Sequence, residues 1–110
     1  MTSRFTIVAF AGLPGTGKST IARELAAQIG APLFDKDRVR EALFGPRHVT
    51  YTRAQDDLCT RMCYDALEHV AASSGVRVAV LDGRTYTQRG QVAALLALAI
   101  LLGAALVWVE

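Results

Sequence analysis

The residues from Gly12 to Thr20 have the types and the spacing of a loop that binds phosphate. The run Gly12-Leu13-Pro14-Gly15-Thr16-Gly17-Lys18-Ser19 has a glycine, four free positions and then Gly-Lys-Ser, a pattern typical of loops that wrap a nucleoside triphosphate. Glycines leave the space in which backbone N–H groups approach phosphate oxygens. The predicted nucleotide-binding residues are Gly12, Pro14, Gly15, Thr16, Gly17, Lys18, Ser19 and Thr20.

Two groups of side chains extend this chemistry to a metal ion. Lys18 is expected to reach the β and γ phosphates, and the Ser19 hydroxyl is expected to bind the Mg²⁺ that bridges them. Asp82 follows an apolar run, Val78 to Leu81, which is expected to be a strand. Because strands beside a phosphate loop end near the same crevice, Asp82 is the second predicted Mg²⁺ ligand. The alternative for Asp82 is a turn residue before Gly83. The predicted cofactors are therefore ATP and Mg²⁺.

A charged segment, residues 35–41, supplies the catalytic candidates that accompany Lys18. Asp37 is preferred to Asp35 as the carboxylate that accepts the proton of an attacking hydroxyl, although Asp37 would also suit a helix N-cap. Arg40 would bind an anionic group of the acceptor or the transferring phosphoryl, or else lie on a solvated helix face. Arg84 and Arg89 have the same two alternatives: they either line this crevice or lie on the protein surface.

The elements that must position these residues alternate between strand and helix. Such alternation predicts one α/β domain over residues 1–110 with a parallel sheet. The strands are expected at 5–10, 33–35, 76–81 and 106–109. The helices are expected from the phosphate loop to Gly30, in a short piece before Gly45-Pro46, from a capping box at Thr52 and Gln55 to Gly75, and from Thr85 or Gln88 to about Leu102. Residues 47–50 are expected to form a loop.

Composition sets limits on the partners and the compartment. A formal net charge of +2 over 110 residues gives no argument for nucleic acid or a membrane as partner. Cys59 and Cys63 are expected to be buried thiols in a reducing cytoplasm, and His48 and His69 are expected to be incidental. Residues 92–109 carry no charged side chain. We expect a core helix and a buried strand there, with a membrane span and self-association through this segment as alternatives.

Three pieces of the sequence together resemble one family. The phosphate loop, Asp35-x-Asp37-x-x-Arg40-x-x-Leu43-Phe44-Gly45 and Leu81-Asp82-Gly83 are similar to the P-loop small-molecule kinases often labelled AAA family ATPases or predicted kinases. That group includes zeta toxins, chloramphenicol phosphotransferase, gluconate kinase and adenylylsulfate kinase. The resemblance implies that Asp37 is the base, that Arg40 contacts substrate or phosphate, and that Asp82 is a Walker B-like carboxylate.

The resemblance also carries expectations for the fold and the reaction. It implies a three-layer α/β/α sheet of strand order 2-3-1-4 that is incomplete at the C-terminus, because family members continue with an arginine-bearing lid and a fifth strand. The leading hypothesis is a kinase that transfers the γ-phosphoryl of Mg-ATP to a hydroxyl of a small molecule, nucleoside or nucleotide. The alternative is a non-catalytic or truncated nucleotide-binding module that needs a partner or its missing C-terminal half.

Overall fold

Four parallel strands form the centre of the molecule, in the order β2-β3-β1-β4. The computed structural model describes residues 4–12, 17–73, 75–84, 86 and 88–110. The strands are β1 (Thr6–Phe10), β2 (Leu33–Asp35), β3 (Val78–Asp82) and β4 (Ala105–Val109), and the helices are α1 (Lys18–Ile29), α2 (Lys36–His48), α3 (Arg53–Ala71) and α4 (Arg89–Leu102). The predicted α/β class and the strand order 2-3-1-4 are confirmed.

The two central strands are apolar because helices cover both of their faces. In the register of β1 and β3, Ile7 lies beside Ala79 and Val8 lies beside Val80. Alternate residues point to opposite sides. Ile7 packs with buried residues of α3 and α4, and Val80 packs with buried residues of α1. The sheet is therefore the middle layer of a three-layer α/β/α fold.

The second helix differs from its prediction. It is interrupted at Gly45 (φ 68°, ψ 169°) and then continues for a further turn to His48. The loop expected from Arg47 is thus wrong for Arg47 and His48. The physical reason is that Pro46 cannot continue a helical hydrogen-bond ladder but suits the first position of a new turn.

The ends of the other helices match their predictions in part. Gly30 and Gly103 end α1 and α4 in the left-handed conformation, which glycine adopts without the strain of a Cβ. Thr52 caps α3 by accepting a hydrogen bond from the Gln55 N–H. The Gln55 side chain does not complete a capping box, since it donates to His48 and accepts from the Thr50 N–H instead. The helix ends at Ala71, before the predicted Gly75.

The apolar segment near the C-terminus divides at Gly103 into α4 and β4, as expected. The expectation of a buried strand is wrong, because β4 lies at the edge of the sheet and all of its residues are partly or largely exposed. Leu95 and Ala99 of α4 are buried in the core, whereas Leu96, Ile100 and Leu101 are exposed. We call these three residues the α4 apolar face. Among the helices that the structure describes, none has the length and hydropathy that crossing a bilayer requires.

Candidate active site at the carboxyl edge of the sheet

The carboxyl ends of the strands bring the predicted residues to one edge of the sheet. Asp35 and Asp82 are the last residues of neighbouring strands and lie beside each other in the register. Lys18 begins α1 directly after the phosphate loop. In open parallel sheets this edge forms the ligand crevice, so the sequence pattern and the topology agree on the location.

The described part of the phosphate loop is its two ends. Gly12 (φ 131°) and Gly17 (φ 79°) both have a positive φ, a conformation that side chains with a Cβ rarely adopt. Ser19 and Thr20 lie in the first turn of α1, where the free N–H groups and the helix dipole favour an anion. The predicted residues Pro14, Gly15 and Thr16 lie outside the described residues.

Lys18 and Asp82 form a nearly enclosed ion pair, with Lys18 Nζ 2.7 Å from Asp82 Oδ1. Burial pushes the pKa of Asp82 upward, but the hydrogen bond from Lys18 and the nearby Ser19 hydroxyl outweigh it, so that the pKa is lowered overall. Asp82 is therefore a carboxylate at neutral pH. Its second oxygen, Oδ2, is buried and has no hydrogen-bond partner among the described residues.

A buried carboxylate oxygen without a hydrogen-bond partner is suited to bind Mg²⁺. Mg²⁺ is held in nucleotide sites by one or two protein oxygens, with water and phosphate oxygens completing the shell. Asp82 and Ser19 offer a carboxylate and a hydroxyl of this kind. Within the described residues there is no cluster of three or more His, Cys, Asp or Glu that could hold a metal by itself. The residues present fit Mg²⁺ bound together with phosphate.

Gly83 follows Asp82 at the end of β3 and lies against the start of α2. A Cβ at position 83 would lie 2.7 Å from both the backbone N and the Cβ of Lys36, a distance at which atoms overlap. Gly83 also has a φ of 106°. Glycine is therefore required for α2 to begin directly against the end of β3, and this close packing places Lys36 against the residue that follows Asp82.

Asp35 and Asp37 have different roles at this junction. Asp35 is buried, and its Oδ1 accepts hydrogen bonds from the N–H groups of Asp37 (2.9 Å) and Arg38 (3.4 Å). Asp35 is thus the N-cap of α2, so the alternative that gave this role to Asp37 is wrong. The Asp37 side chain is 66% exposed and accepts a hydrogen bond from Arg40. It leaves carboxylate oxygen available in the cleft.

Arg40 is buried rather than solvated, with 3% of its surface exposed. Its Nη1 donates to Asp37 Oδ1 at 3.0 Å and its Nη2 donates to Asp56 Oδ1 at 2.7 Å. The guanidinium also lies over the Tyr51 ring, 5.4 Å from the ring centroid, a geometry that a cation and an aromatic face favour. The solvated alternative for Arg40 is therefore wrong.

A cleft of about 670 Å³ connects the two groups of residues. Its lining includes Gly12 and Lys18 from the phosphate side and Asp37, Arg40 and Tyr51 from the other side. We call the Lys18–Asp82 part the phosphate side, and the part formed by α2, Tyr51 and Asp56 the acceptor side. One cleft thus brings Lys18 together with both of the other predicted catalytic residues.

The two further arginines considered in the sequence, Arg84 and Arg89, have different surroundings in the structure. Arg84 donates to Asp56 Oδ2 at 3.1 Å and to Asp57 Oδ1 at 2.9 Å. Burial lowers the pKa of Arg84, but its hydrogen bonds to these carboxylates raise it by more. Arg89 is exposed at the start of α4 and does not line the cleft. Of the two, only Arg84 belongs to the network beside the cleft.

The cleft also contains three residues that were not among the predicted site residues: Asp56, Lys36 and Tyr51. Asp56 lies in the first turn of α3, where an acidic residue is expected for the helix dipole alone. Lys36 lies inside the charged segment, but it is not one of the residues that define the motif. The one available signal for Lys36 is its place beside Asp35 at a strand end.

Both cysteines behave as expected. Cys59 and Cys63 are free and buried. Burial raises the pKa of Cys63 to about 12, so its thiol stays protonated at neutral pH. Because the thiolate is the reactive form, Cys63 is a packing residue.

Comparison with known proteins shows the family to which this chain belongs. A family model described as the AAA domain matches residues 7–110. A shikimate kinase from Paracidovorax citrulli (strain AAC00-1) is 53% identical over 34 residues, which are 31% of this chain and 19% of that protein.

Two solved structures share the fold. A candidate kinase from Chloroflexus aurantiacus has a TM-score of 0.84 at 17% identity, over 98% of this chain and 59% of that one. The APS kinase CysC of Mycobacterium tuberculosis, in complex with AMPPNP and APS, has a TM-score of 0.60 at 20% identity, over 97% of this chain and 62% of that one. The chain therefore spans less than two thirds of each of these relatives.

The predicted resemblance is thereby confirmed. The match extends from the first strand to the last residue of the chain, and the structural neighbours are P-loop kinases. The chain belongs to the AAA domain family and has the fold of P-loop kinases.

Proposed function

We propose that this chain binds Mg-ATP at the phosphate loop and transfers the γ-phosphoryl group to a hydroxyl of a small molecule, nucleoside or nucleotide. The observation that carries the proposal is the single cleft lined by Lys18, Asp37 and Arg40. Phosphoryl transfer needs phosphate binding and acceptor activation within one site, and the cleft offers a residue suited to each. The fold shared with an APS kinase that binds AMPPNP supports a nucleotide as ligand.

The phosphate side would hold the triphosphate. Lys18 is proposed to contact the β and γ phosphates, with backbone N–H groups from Gly12 to Thr20 around them. Ser19 and Asp82 would hold Mg²⁺, which supplies charge neutralisation to the phosphate oxygens when bound. The buried free oxygen of Asp82 supports this assignment.

The acceptor side would supply the base. Asp37 is proposed to accept the proton of the acceptor hydroxyl as that oxygen forms a bond to the γ-phosphorus, while the bond from phosphorus to the bridging oxygen breaks and ADP leaves. Arg40 would bind the transferring phosphoryl or an anionic group of the acceptor. In the chain Asp82 is followed by glycine, so no second carboxylate stands at the next position to activate a water, which favours transfer over hydrolysis.

Replacement of Asp37 tests this assignment. In an assay of ADP release over a panel of sugars, nucleosides and nucleotides, Asp37→Ala should lower turnover by about 10²- to 10⁴-fold, the usual contribution of a general base. Mg-ATP affinity should stay within about threefold, because Asp37 lies on the acceptor side. Asp65→Ala is the control, since Asp65 is exposed on α3 and does not line the cleft. Unchanged turnover of Asp37→Ala would show that another group is the base.

A second candidate function rests on the α4 apolar face. Ile100 is 80% exposed and Leu101 is 76% exposed, and adjacent exposed apolar side chains are typical of surfaces that bind a partner. The chain would then be a nucleotide-binding module that acts only with a partner, a second copy or additional sequence. Sedimentation of the purified chain distinguishes the two functions, because a monomer that phosphorylates an acceptor by itself excludes the dependent module.

A further inference from the structure

One carboxylate outside every recognised motif holds three cations at the acceptor side. Asp56 Oδ1 accepts hydrogen bonds from both Lys36 Nζ and Arg40 Nη2, and Asp56 Oδ2 accepts one from Arg84 Nη2. These partners belong to the first residue of α2, the middle of α2 and the connection after β3. Asp56 is thus the point at which α3 is tied to both neighbouring parts of the cleft.

Asp56 is itself poorly suited to be a base. Both of its oxygens already accept hydrogen bonds from cations. Burial raises its pKa, but the hydrogen bonds from Lys36, Arg40 and Arg84 lower it by more. Asp37 differs, because it accepts one hydrogen bond and is mostly exposed to the cleft. The two carboxylates therefore suit different tasks, with Asp37 available for proton transfer and Asp56 occupied by cations.

Removal of the Asp56 charge would change the surroundings of Asp37. Lys36 and Arg40 share one oxygen of Asp56, so without it two like charges would face each other without compensation. Arg40 already donates to Asp37 through Nη1. With Nη2 released, Asp37 is the carboxylate that Arg40 would still contact, and we expect the guanidinium to move fully onto the proposed base.

We propose that Asp56 is a positioning residue that fixes Lys36 and Arg40 along the wall of the acceptor side and keeps Arg40 from closing on Asp37. The catalytic consequence rests on the proposed kinase function. The positions of Lys36 and Arg40 do not rest on it, because the hydrogen bonds from both side chains to Asp56 are present whatever reaction the cleft serves. The two parts of the proposal therefore need separate measurements.

The position of Lys36 is measured by chemical labelling. The chain has two lysines, Lys18 and Lys36, so acetylation by acetic anhydride, followed by mass spectrometry, resolves each of them. In Asp56→Asn the Lys36 rate should rise about tenfold, because a charge-assisted hydrogen bond of ordinary strength is lost, while the Lys18 rate stays within about twofold. Asp57→Asn is the matched control, since Asp57 contacts Arg84 but neither Lys36 nor Arg40.

Other outcomes of the labelling would overturn the proposal. These are an unchanged Lys36 rate in Asp56→Asn, an equal rise in Asp57→Asn, or a parallel rise at Lys18, which would indicate general loosening. If Asp56→Asn does not fold, Asp56→Glu decides the question, because the retained carboxylate must keep the Lys36 rate within about threefold of the native rate. A tenfold rise in that variant would also overturn the proposal.

Kinetics then test the catalytic part. With whichever panel compound the native chain phosphorylates, Asp56→Asn should raise the KM for that compound about tenfold and lower kcat, with Mg-ATP affinity unchanged. Asp56→Glu should recover part of the loss, and Asp57→Asn should resemble the native chain. Equal weakening of acceptor and Mg-ATP would overturn the positioning role. If the native chain phosphorylates no compound, the kinase proposal fails, and labelling still decides the role of Asp56 toward Lys36.

Discussion

The phosphate side and the acceptor side of the cleft hold their charges in different ways. On the phosphate side, one lysine meets one carboxylate, Lys18 with Asp82, in a nearly enclosed pair. On the acceptor side, one carboxylate, Asp56, meets three cations, and its side chain is 26% exposed. The first arrangement leaves a carboxylate oxygen free, and the second leaves none.

This difference reflects how many separate parts of the chain build each side of the cleft. A strand, a loop and a helix that follow one another in the chain supply Lys18, and an adjacent strand supplies Asp82. The acceptor side needs α2, α3 and the segment after β3 to meet. We infer that the phosphate side provides nucleotide binding common to the fold, and that selection of an acceptor depends on how Asp56 holds its partners.

The largest expected effect comes from the residue that joins the two sides. Gly83→Ala should reduce the free energy of unfolding by about 2–4 kcal/mol, because the new Cβ meets backbone and side-chain atoms of Lys36 and the positive φ is strained. Urea unfolding measures the loss. Lysine acetylation of the variant should be faster at Lys36 than in the native chain, since the start of α2 must move.

Gly103→Ala is the control for backbone strain alone. Gly103 also has a positive φ, of 64°, but a Cβ there meets no atom within 4 Å among the described residues. Its expected cost is about 1 kcal/mol. Equal losses in the two variants would contradict the requirement for close packing between β3 and α2.

A smaller effect is expected from acid. The pKa values of Asp56 and Asp82 in the folded chain lie below the ordinary value of 3.8, so the unfolded chain takes up these protons first as the pH falls. The stabilisation is present above that value and is lost as the pH falls below it, through the lower pKa values of the folded chain. Between about pH 5 and pH 3, Asp56→Asn should therefore lose stability less steeply than the native chain. Parallel curves from urea unfolding would contradict the ion pairing of Asp56.

The smallest expected effect concerns Tyr51, whose ring lies against the Arg40 guanidinium. Tyr51 is 88% exposed, so Tyr51→Ala should cost only about 0.5–1 kcal/mol in thermal unfolding, the range for a cation–π contact at an exposed site. Tyr51→Phe keeps an aromatic face and should retain most of the contact. A loss in Tyr51→Ala far above this range would show that Tyr51 supports the fold rather than the acceptor side.

The phosphate side could be predicted because its signals are local. The residues around Lys18 lie within one strand, loop and helix, and Asp82 ends a continuous apolar run, so periodicity and residue type were sufficient. The strand order came from the family resemblance and not from the residues alone. Gly45 was correctly expected to break a helix, but whether the chain resumes a helical turn after Pro46 depends on packing that local patterns do not carry.

The acceptor side could not be predicted in the same way. The partners of Asp56 lie 16, 20 and 28 residues away from it in the chain. Unlike Lys18 and Asp82, Asp56 belongs to no motif that would link it to these partners, and an acidic residue in the first turn of a helix is common for other reasons. Burial of Arg40 could not be predicted for the same reason, since only the approach of α3 encloses a side chain that α2 alone would leave in water.

Calorimetry of Mg-ATP with the purified chain tests the division of the cleft most directly, with the two lysines as matched variants. The native chain should bind Mg-ATP, Lys18→Ala should weaken binding by about 100-fold or more, as expected for a charge-assisted phosphate contact in an enclosed site, and Lys36→Ala should stay within about threefold. Equal weakening by both variants, or no binding by the folded native chain, would contradict the assignment of nucleotide binding to the phosphate side.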